Sequence, residues 1–330
     1  FNGLMSFTEI EALRARVTPM LIEPIDIQSA PGIHAIETNL TQVGADQVWA
    51  MGYEGQGIVV GNIDTGVRYT HDALVNQYRG NQGGGVYNHN YNWWDPYAAT
   101  TAPEDTHNHG SHTMGTMVGD DGGTNQIGMA PQAKWIAAKG FDPGATDAGL
   151  LSCGQFMAAP TDLNGLNPNP DLRPHIVNNS WGDCGQSYDG WYAGVISSWH
   201  AAGIYPVFSN GNAGNCGYPY PPGLNSVGNP ARSGNVTGVG STGRSDGQYA
   251  THSNWGPTDD PDTINPNGYP NMKPQVVAPG TNRSAGRDSD SSYMDMTGTS
   301  MSAPHVAGLI ALMWSGAPWL IGDYAATETI

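Results

Sequence analysis

The sequence has few charged residues, and basic residues are especially scarce. Only 12% of its 330 residues are charged, and 12 Lys and Arg stand against 29 Asp and Glu, a formal net charge of −17 at pH 7. Nucleic acids and anionic membrane surfaces bind clustered basic residues, so we expect neither as a partner. No run of about 18 apolar residues occurs, and the sequence therefore predicts no membrane-spanning helix.

Cysteine is also scarce. Cys153, Cys184 and Cys216 lack the close pairs of a zinc or redox site. One disulfide with one free thiol is possible, and so is none. The chain has neither an initiating Met nor a signal peptide, so we interpret Phe1 as a processed or cut end.

Glycine and proline, in contrast, are abundant. Forty-six Gly and 24 Pro argue against a helical bundle. From about residue 57, short apolar runs alternate with helical stretches, which predicts an α/β fold with a mostly parallel central sheet and helices on both faces. The predicted strands are Ile58–Ile63, Trp135–Ala138, Ile176–Val177, Ile204–Phe208, Val236–Val239 and Gln275–Ala278. The predicted helices are His109–Val118, Leu150–Ala158, Tyr188–Ala202 and Ser300–Trp314.

The first 35 residues form a separate unit. A short helix is predicted at Thr8–Arg16, where Thr8 and Glu11 have the spacing of a capping box, and a strand is predicted at Met20–Ile25. So few elements cannot bury a core alone. We therefore divide the chain into residues 1–35 and 36–330, with the first part either packed on the second or left over from a larger unit.

Three segments carry residues suited to nucleophilic catalysis. Asp64 ends an apolar strand before a glycine turn, and His109 opens a helix followed by Gly110. Ser300 begins a helix that is apolar nearly all round and must therefore be buried. A serine hydroxyl needs a base to take its proton, and that base needs a third group to orient it. Asp64, His109 and Ser300 are the candidates for these roles.

The three segments resemble the Asp, His and Ser motifs of the subtilases, the subtilisin-like serine peptidases, and follow the chain order found in subtilisin. Asn178–Gly182 resembles the strand edge that binds substrate in this family, and Ser209–Gly214 resembles the segment that carries the oxyanion asparagine. Trp93–Trp94 and Ala159–Gly165 resemble the bacillopeptidase F branch. The resemblance implies the following site residues: Asp64, His109, Ser300 and Asn212 as catalytic, and Ser180, Trp181, Gly182 and Gly211 as substrate-binding.

The family implies a three-layer fold and an endopeptidase that cleaves protein or peptide substrates through an acyl-enzyme. We expect an extracellular monomer with its own propeptide as a further partner. A degenerate subtilase that only binds, and an enzyme limited to exopeptidase or transfer activity, are the alternatives. No cofactor is expected for the chemistry. Structural calcium is possible, but the family's calcium-binding Asp falls on Ala73, and Asp72 lies one position before it. The loop Asp120–Gln126 also differs from the family pattern. The metal ligands are therefore unknown.

The ends of the chain depart from the family pattern. Residues 1–35 resemble the last helix and strand of the inhibitory pro-domain, with an ordinary N-terminal extension as the alternative. Only 30 residues follow Ser300, so we expect the chain to end inside a helix that begins near Ile321.

The family fold also bears on residues outside the motifs. It implies a Cys184–Cys216 bridge, because the segments that precede these two residues flank one pocket. We expect His112 and His305 to be packed structural residues and Cys153 to be a buried small hydrophobe. The aromatic run Tyr91–Tyr97 is interpreted as a folded surface loop, with a substrate subsite as the alternative.

Overall fold

The computed structural model describes residues 18–30, 35–141, 144–244, 247–260 and 272–330. Its strands are β1 Met20–Leu21, β2 Asp26–Ala30, β3 Ala35–Ile36, β4 Val59–Asp64, β5 Asn81–Gly83, β6 Val86–Tyr87, β7 Trp93–Trp94, β8 Asn125–Gln126, β9 Lys134–Lys139, β10 Ile176–Asn179, β11 Trp181–Gly182, β12 Tyr205–Ser209, β13 Thr237–Thr242, β14 Val276–Pro279, β15 Thr281–Ala285 and β16 Tyr293–Thr297. Its α-helices are α1 Thr38–Gln42, α2 Ala45–Ala50, α3 His109–Val118, α4 Asp147–Ala158, α5 Ala193–Ala201, α6 Thr299–Gly316 and α7 Tyr324–Glu328. Short 3₁₀ helices lie at Pro170–Leu172, Ala213–Cys216 and Pro318–Leu320.

Seven strands form the central sheet, in the order β14-β13-β12-β10-β4-β9-β7. Every neighbouring pair in it is parallel. All six predicted strands belong to this sheet, with boundaries displaced by at most three residues. The predicted α/β fold with a mostly parallel sheet is therefore confirmed.

Helices cover both faces of the sheet because successive strand residues point to opposite sides. Val207 of β12 belongs to a buried cluster that contains Met114 of α3 and Ile310 of α6. The next residue, Phe208, belongs to a second cluster that contains Trp199 of α5. The two clusters are the cores on either side of one sheet, which gives the three layers that the resemblance implies.

The dipeptide Trp93–Trp94 is an edge strand of this sheet and not the surface loop that we predicted. It pairs in parallel with Ala137 and Ala138 of β9. The Trp93 side chain is fully buried and donates its indole N–H to the Thr100 hydroxyl at 3.0 Å. Burial of this large ring in the core explains why the segment adds a strand instead of remaining on the surface.

In a parallel sheet the strand ends that carry functional residues meet at one edge. Here β4 ends at Asp64, β10 leads into Ser180, and β12 leads into Asn212. Helices α3 and α6 begin at the same edge, with His109 as the first residue of α3 and Ser300 as the second of α6.

Two further sequence predictions concern the chain ends. The predicted helix Thr8–Arg16 lies outside the described residues. The C-terminal helix is present as α7 and begins at Tyr324, three residues after the predicted start. Within the described ranges, no helix combines the length and hydropathy that a membrane span requires.

Candidate active site

Asp64 and His109 form a buried hydrogen-bonded pair. His109 Nδ1 lies 2.7 Å from Asp64 Oδ1, and both side chains are almost completely inaccessible to solvent. The same carboxylate accepts the Thr65 N–H at 2.7 Å and the Thr113 hydroxyl at 3.2 Å. Asp64 is therefore held from both sides, and it fixes the orientation of the imidazole ring.

The electrostatic surroundings of His109 favour its protonated form. Burial is the largest single influence on the pKa of His109 and lowers it, but the charge and hydrogen bond of Asp64 raise it, and the combined effect of the surrounding carboxylates leaves the pKa above its ordinary value. Glu23 and Asp105 add smaller contributions in the same direction. An imidazole in this setting is a stronger base than free histidine, which suits it to accept a proton.

The close approach of α3 to the β4 turn depends on a glycine. A Cβ on Gly110 would lie 2.0 Å from the Gly66 carbonyl oxygen, a distance that backbone cannot accommodate. Glycine at position 110 therefore allows α3 to approach the turn after β4.

Asn212 is held by the first turn of the Ser300 helix. Its Oδ1 accepts the Thr299 N–H at 2.9 Å and the Thr299 hydroxyl at 3.1 Å. Its Nδ2 is thereby turned away from Thr299, and it donates to the Glu23 carbonyl at 2.9 Å. A Cβ on Gly298 would lie 2.7 Å from Nδ2, so glycine is required there. The structure thus brings Asn212 beside Ser300, with its donor aimed at a peptide carbonyl.

The cleft between these residues contains the chain's own N-terminal segment. Met20 and Leu21 pair in antiparallel orientation with Gly182 and Trp181. Ile22 continues this pairing by donating its N–H to the Ser180 carbonyl at 3.3 Å. The predicted strand Met20–Ile25 is thus real at its first two residues, and its partner is the predicted substrate-binding edge.

The predicted substrate-binding residues act through their backbone. Ser180, Trp181 and Gly182 offer main-chain groups to the segment. The Trp181 ring is instead fully buried in the second core cluster. Gly211 binds Thr299 and not the segment: its N–H donates to the Thr299 hydroxyl at 3.2 Å.

Ser300 is directed to the N-terminal segment and not to His109. Its hydroxyl donates to the Ile22 carbonyl oxygen at 2.7 Å. Among the described residues, His109 Nε2 has no hydrogen-bond partner. The Ser300 hydroxyl and His109 Nε2 are therefore not hydrogen-bonded to each other.

Two successive carbonyl groups of the segment bind different residues of the site. The Ile22 carbonyl receives the Ser300 hydroxyl, whereas the Glu23 carbonyl receives the Asn212 amide. Acyl transfer requires one carbonyl to face the nucleophile with its oxygen on the oxyanion donors. Neither carbonyl oxygen is hydrogen-bonded to both Ser300 and Asn212, so the two residues bind different peptide units of the segment.

Side chains of the segment fill the cleft unevenly. Ile22 is 1% exposed, and its Cδ1 lies 3.7 Å from the point where a Cβ of Gly182 would stand. Leu21 is also buried. A cavity of about 420 Å³ remains beside them, lined by residues that include Glu23, Thr65 and Phe141.

The sequence analysis did not identify Asp105, which links the chain segment that follows Asp64 to the first turn of the His109 helix. Its Oδ1 accepts the Thr65 hydroxyl at 2.9 Å, and its Oδ2 accepts the Ser111 N–H at 2.8 Å. The Thr65 hydroxyl also accepts the Gly110 N–H at 2.9 Å. Burial raises the pKa of the Asp105 carboxyl, although its hydrogen bonds oppose this effect. Its position four residues before His109 was the available signal, but a lone Asp in a loop is too common to single out.

The two neighbouring histidines are packed structural residues. His112 Nε2 lies 3.1 Å from the Met294 carbonyl and 3.2 Å from the Asn282 carbonyl, and burial lowers its pKa to about 3. His305 is held between Asn39 and the Met301 carbonyl, each at 2.7 Å, and burial lowers its pKa to about 4. Both rings are therefore neutral at pH 7.

The cysteines are arranged as predicted. Cys184 and Cys216 form a disulfide with a Cα–Cα distance of 5.4 Å, and Cys153 is free and buried. Burial raises the pKa of the Cys153 thiol, so it remains protonated and unreactive. Cys216 is the last residue of the 3₁₀ helix whose N-cap is Asn212.

The residues at the family's best-known calcium position do not fit a cation. Ala73 is buried there, and its carbonyl accepts the Asp120 N–H. In the adjoining loop the Asn125 amide oxygen accepts from Arg283 at 3.0 Å, and Arg283 also pairs with Glu37 at 2.9 Å. Within the residues that the structure describes, no group of three His, Cys, Asp or Glu could hold a metal ion.

Comparison with known proteins places this geometry in a family. Bacillopeptidase F of Bacillus subtilis (strain 168) is 40% identical over 288 residues, which cover 84% of this chain and 19% of that protein, so the chain spans about a fifth of its length. Subtilisin DY of Bacillus licheniformis is 29% identical over 280 residues, with 84% of each sequence covered. M-protease of Shouchella clausii (strain KSM-K16) is 26% identical over 309 residues, covering 94% of this chain and 67% of that protein.

The similarity to Bacillopeptidase F confirms the predicted branch. The family model described as the subtilase family matches residues 55–329, which include all four predicted catalytic positions. The chain therefore belongs to the subtilase family, whose members are serine-type endopeptidases.

Proposed function

We propose that this protein hydrolyses internal peptide bonds of proteins, with Ser300 as nucleophile, His109 as general base, Asp64 as the residue that orients His109, and Asn212 as an oxyanion donor. The observation that carries the proposal is the convergence of these four residues. A helix-start serine and an amide donor both bind one peptide segment, and the charge of Glu23 in that segment acts on the buried Asp64–His109 pair.

In the proposed reaction the Ser300 oxygen bonds to the scissile carbonyl carbon while its proton passes to His109 Nε2. The carbonyl oxygen becomes negatively charged and is stabilised by Asn212 Nδ2 and the Ser300 N–H. The C–N bond then breaks, and His109 returns the proton to the leaving amine. Water then attacks the carbonyl carbon of the acyl-enzyme while its proton passes to His109, the ester bond to the Ser300 oxygen breaks, and His109 returns the proton to that oxygen. These steps use no cofactor.

We propose further that residues 1–35 are the end of an inhibitory propeptide and residues 36–330 the peptidase domain. The pairing of Met20–Leu21 with the substrate-binding edge supports this division. So does the binding of Ser300 and Asn212 to two different carbonyls, those of Ile22 and Glu23. While they stay there, the Ser300 hydroxyl is bonded to the segment and cannot pass its proton to His109.

The same proposal includes the surroundings in which the enzyme acts. Its substrates are proteins or peptides, its own propeptide is a partner, and it works outside the cell as a monomer. The disulfide supports an oxidising compartment. Calcium, where bound, would contribute to stability and not to the reaction.

Labelling with a fluorophosphonate probe, which reacts with activated serines, tests the proposed function. We expect the full chain to be labelled at Ser300 as its N-terminal segment leaves the cleft. Ser300→Ala should abolish labelling and peptide hydrolysis while the chain stays folded. Ser302→Ala, which changes the next hydroxyl of α6, is the matched control and should still label. Labelling that persists in Ser300→Ala would overturn the assignment.

A further inference from the structure

The chain that leaves the active site towards residue 30 is held by an antiparallel strand. Asp26–Ala30 pairs with Tyr293–Thr297 over five residues, from Thr297 opposite Asp26 to Tyr293 opposite Ala30. Strand β16 has β15 on its other side, so β2 is the outer strand of a three-stranded sheet. The Ile25 N–H donates to the Thr297 carbonyl at 2.7 Å and joins this pairing to the cleft.

The side chains of Ile25 and Ile27 contribute little to this pairing. Ile25 is 41% exposed and Ile27 is 51% exposed, although both are large and apolar. On the opposite strand, Met294 and Met296 point inward and are buried. Recognition by main-chain hydrogen bonds of this kind tolerates many sequences, as in other cases where a peptide adds a strand to a sheet edge.

The pairing strand is continuous with the catalytic residues. Thr297 is followed by Gly298 and Thr299, which hold Asn212, and then by Ser300. The Glu23 carbonyl lies on Asn212, and Ile25, two residues later, already bonds to Thr297. Any extended chain with a carbonyl on Asn212 therefore runs onto β16 in the direction of its C-terminus.

We infer that Tyr293–Thr297 is a docking strand for extended polypeptide substrates, which it binds on the C-terminal side of the cleaved bond. If the Glu23 carbonyl marks that bond, the strand pairs with the third to seventh residues after it. If the Ile22 carbonyl marks it, the pairing shifts by one residue. The inference rests on the proposed function, and it makes long unfolded chains better substrates than short peptides.

A length series tests the inference. Fluorogenic peptides share the residues before the bond and the first two after it, and carry two, four, six, eight or ten residues after the bond. We expect kcat/KM to rise by about ten- to a hundredfold and to level off at seven or eight residues, because each added backbone hydrogen bond stabilises modestly. All rates are taken as ratios within one preparation of the full chain, so the fraction of open clefts cancels.

The two proposals fail in different ways. A peptide with two residues after the bond that is cleaved as fast as the longest one would overturn the docking strand and leave the endopeptidase intact. Absence of both cleavage and probe labelling would instead overturn the proposed function.

Backbone methylation gives a second readout. In an antiparallel pair, alternate N–H groups of a strand face its partner. N-methyl groups placed one at a time along the third to eighth residues should therefore lower kcat/KM at every second position. Equal effects at all positions, or none, would contradict strand pairing.

Asp295 offers a matched pair of enzyme variants. It lies opposite Gln28, so its carboxylate is beside the fifth or sixth residue after the bond, and Arg244 neutralises it only partly at 3.2 Å. We expect a few-fold preference for Lys over Glu at that substrate position. Asp295→Asn should bring this ratio close to one, whereas Asp288→Asn, in the exposed loop before β16, should leave it unchanged. A ratio that Asp295→Asn does not alter would overturn the assigned register.

Discussion

Asn212 binds through two atoms that have separate partners. Its Oδ1 is anchored by Thr299, and its Nδ2 is the donor that faces the cleft. Asn212→Leu removes that donor, which serves the transition state more than the bound substrate. We expect turnover to fall by about 10²–10³ with KM nearly unchanged, a magnitude taken from the oxyanion asparagine of subtilisin itself. Steady-state kinetics on a short peptide measures both quantities.

Asn215→Leu is the matched control for this variant. Asn215 lies one turn further along the same 3₁₀ helix and does not contact the segment in the cleft through any described hydrogen bond. It should retain nearly normal turnover. A rise in KM with intact turnover in Asn212→Leu would show that the amide binds substrate and does not stabilise an oxyanion.

The pKa of His109 predicts the acid side of the pH profile. Burial lowers that pKa, but Asp64 and the neighbouring carboxylates together raise it above the usual 6.5. Only neutral imidazole can act as base, so activity is lost as pH falls through the raised pKa. We therefore expect the acid limb of kcat/KM above pH 6.5, measured from pH 5 to 9.

His107 is a second imidazole close to the cleft. It lies 3.5 Å from Glu23 and is about 40% exposed. In His107→Gln the midpoint of the acid limb should stay where it is. A midpoint at or below pH 6.5 in the unaltered chain, or one that moves with His107, would contradict the assignment to His109.

Leu21 is one of the buried side chains, with Ile22, that hold the N-terminal segment in the cleft. It is 8% exposed and packs in the second core cluster. Leu21→Asp would place a carboxylate in this buried position, and burial of an unpaired charge is unfavourable. The segment should therefore leave the cleft more often. We expect probe labelling of Ser300 to be about tenfold faster or more, since burial of a leucine contributes roughly 1.5–3 kcal/mol.

Ile27→Asp is the matched control, because Ile27 lies on the same segment but is half exposed. Its labelling rate should stay close to that of the unaltered chain. Equal rates for Leu21→Asp and Ile27→Asp would mean that the segment does not limit access to Ser300.

The elements differ in how far the sequence predicts them. Strands such as Ile176–Asn179 were found because parallel strands buried on both faces appear as short apolar runs. The pairing of Met20–Leu21 with Trp181–Gly182 was not predicted. A two-residue pairing through main-chain groups leaves no hydrophobic pattern in the sequence. Trp93–Trp94 was misassigned for the same reason, as its pairing with β9 is tertiary.

At the scale of the whole molecule, the candidate site joins residues from distant parts of the chain. Asp64, His109, Asn212 and Ser300 are separated by up to 236 positions in the sequence. Their motifs, and the sheet edge where they meet, were predictable. The direction of the Ser300 hydroxyl was not, because it depends on which segment occupies the cleft.

The disulfide constrains the whole fold and gives a prediction that is independent of catalysis. Cys184 and Cys216 are 32 residues apart, and a closed loop of that size restricts the unfolded chain. In the chain-entropy model it contributes about 3–4 kcal/mol to the free energy of unfolding. Cys184→Ser with Cys216→Ser should lower that free energy by about this amount in urea unfolding followed by tryptophan fluorescence.

Self-digestion would distort this measurement, so both chains carry Ser300→Ala. Reductant separates the bridge from the side chains themselves: dithiothreitol should destabilise the chain with all three cysteines and leave the doubly substituted one unchanged. Cys153 is free in both chains, so its buried thiol contributes equally. A reductant effect of the same size in both would place the stabilisation elsewhere. A doubly substituted chain as stable as its parent would show that the loop is already ordered by its neighbours. One such neighbour is the buried Asp183, whose carboxylate accepts the Asn229 N–H at 2.7 Å.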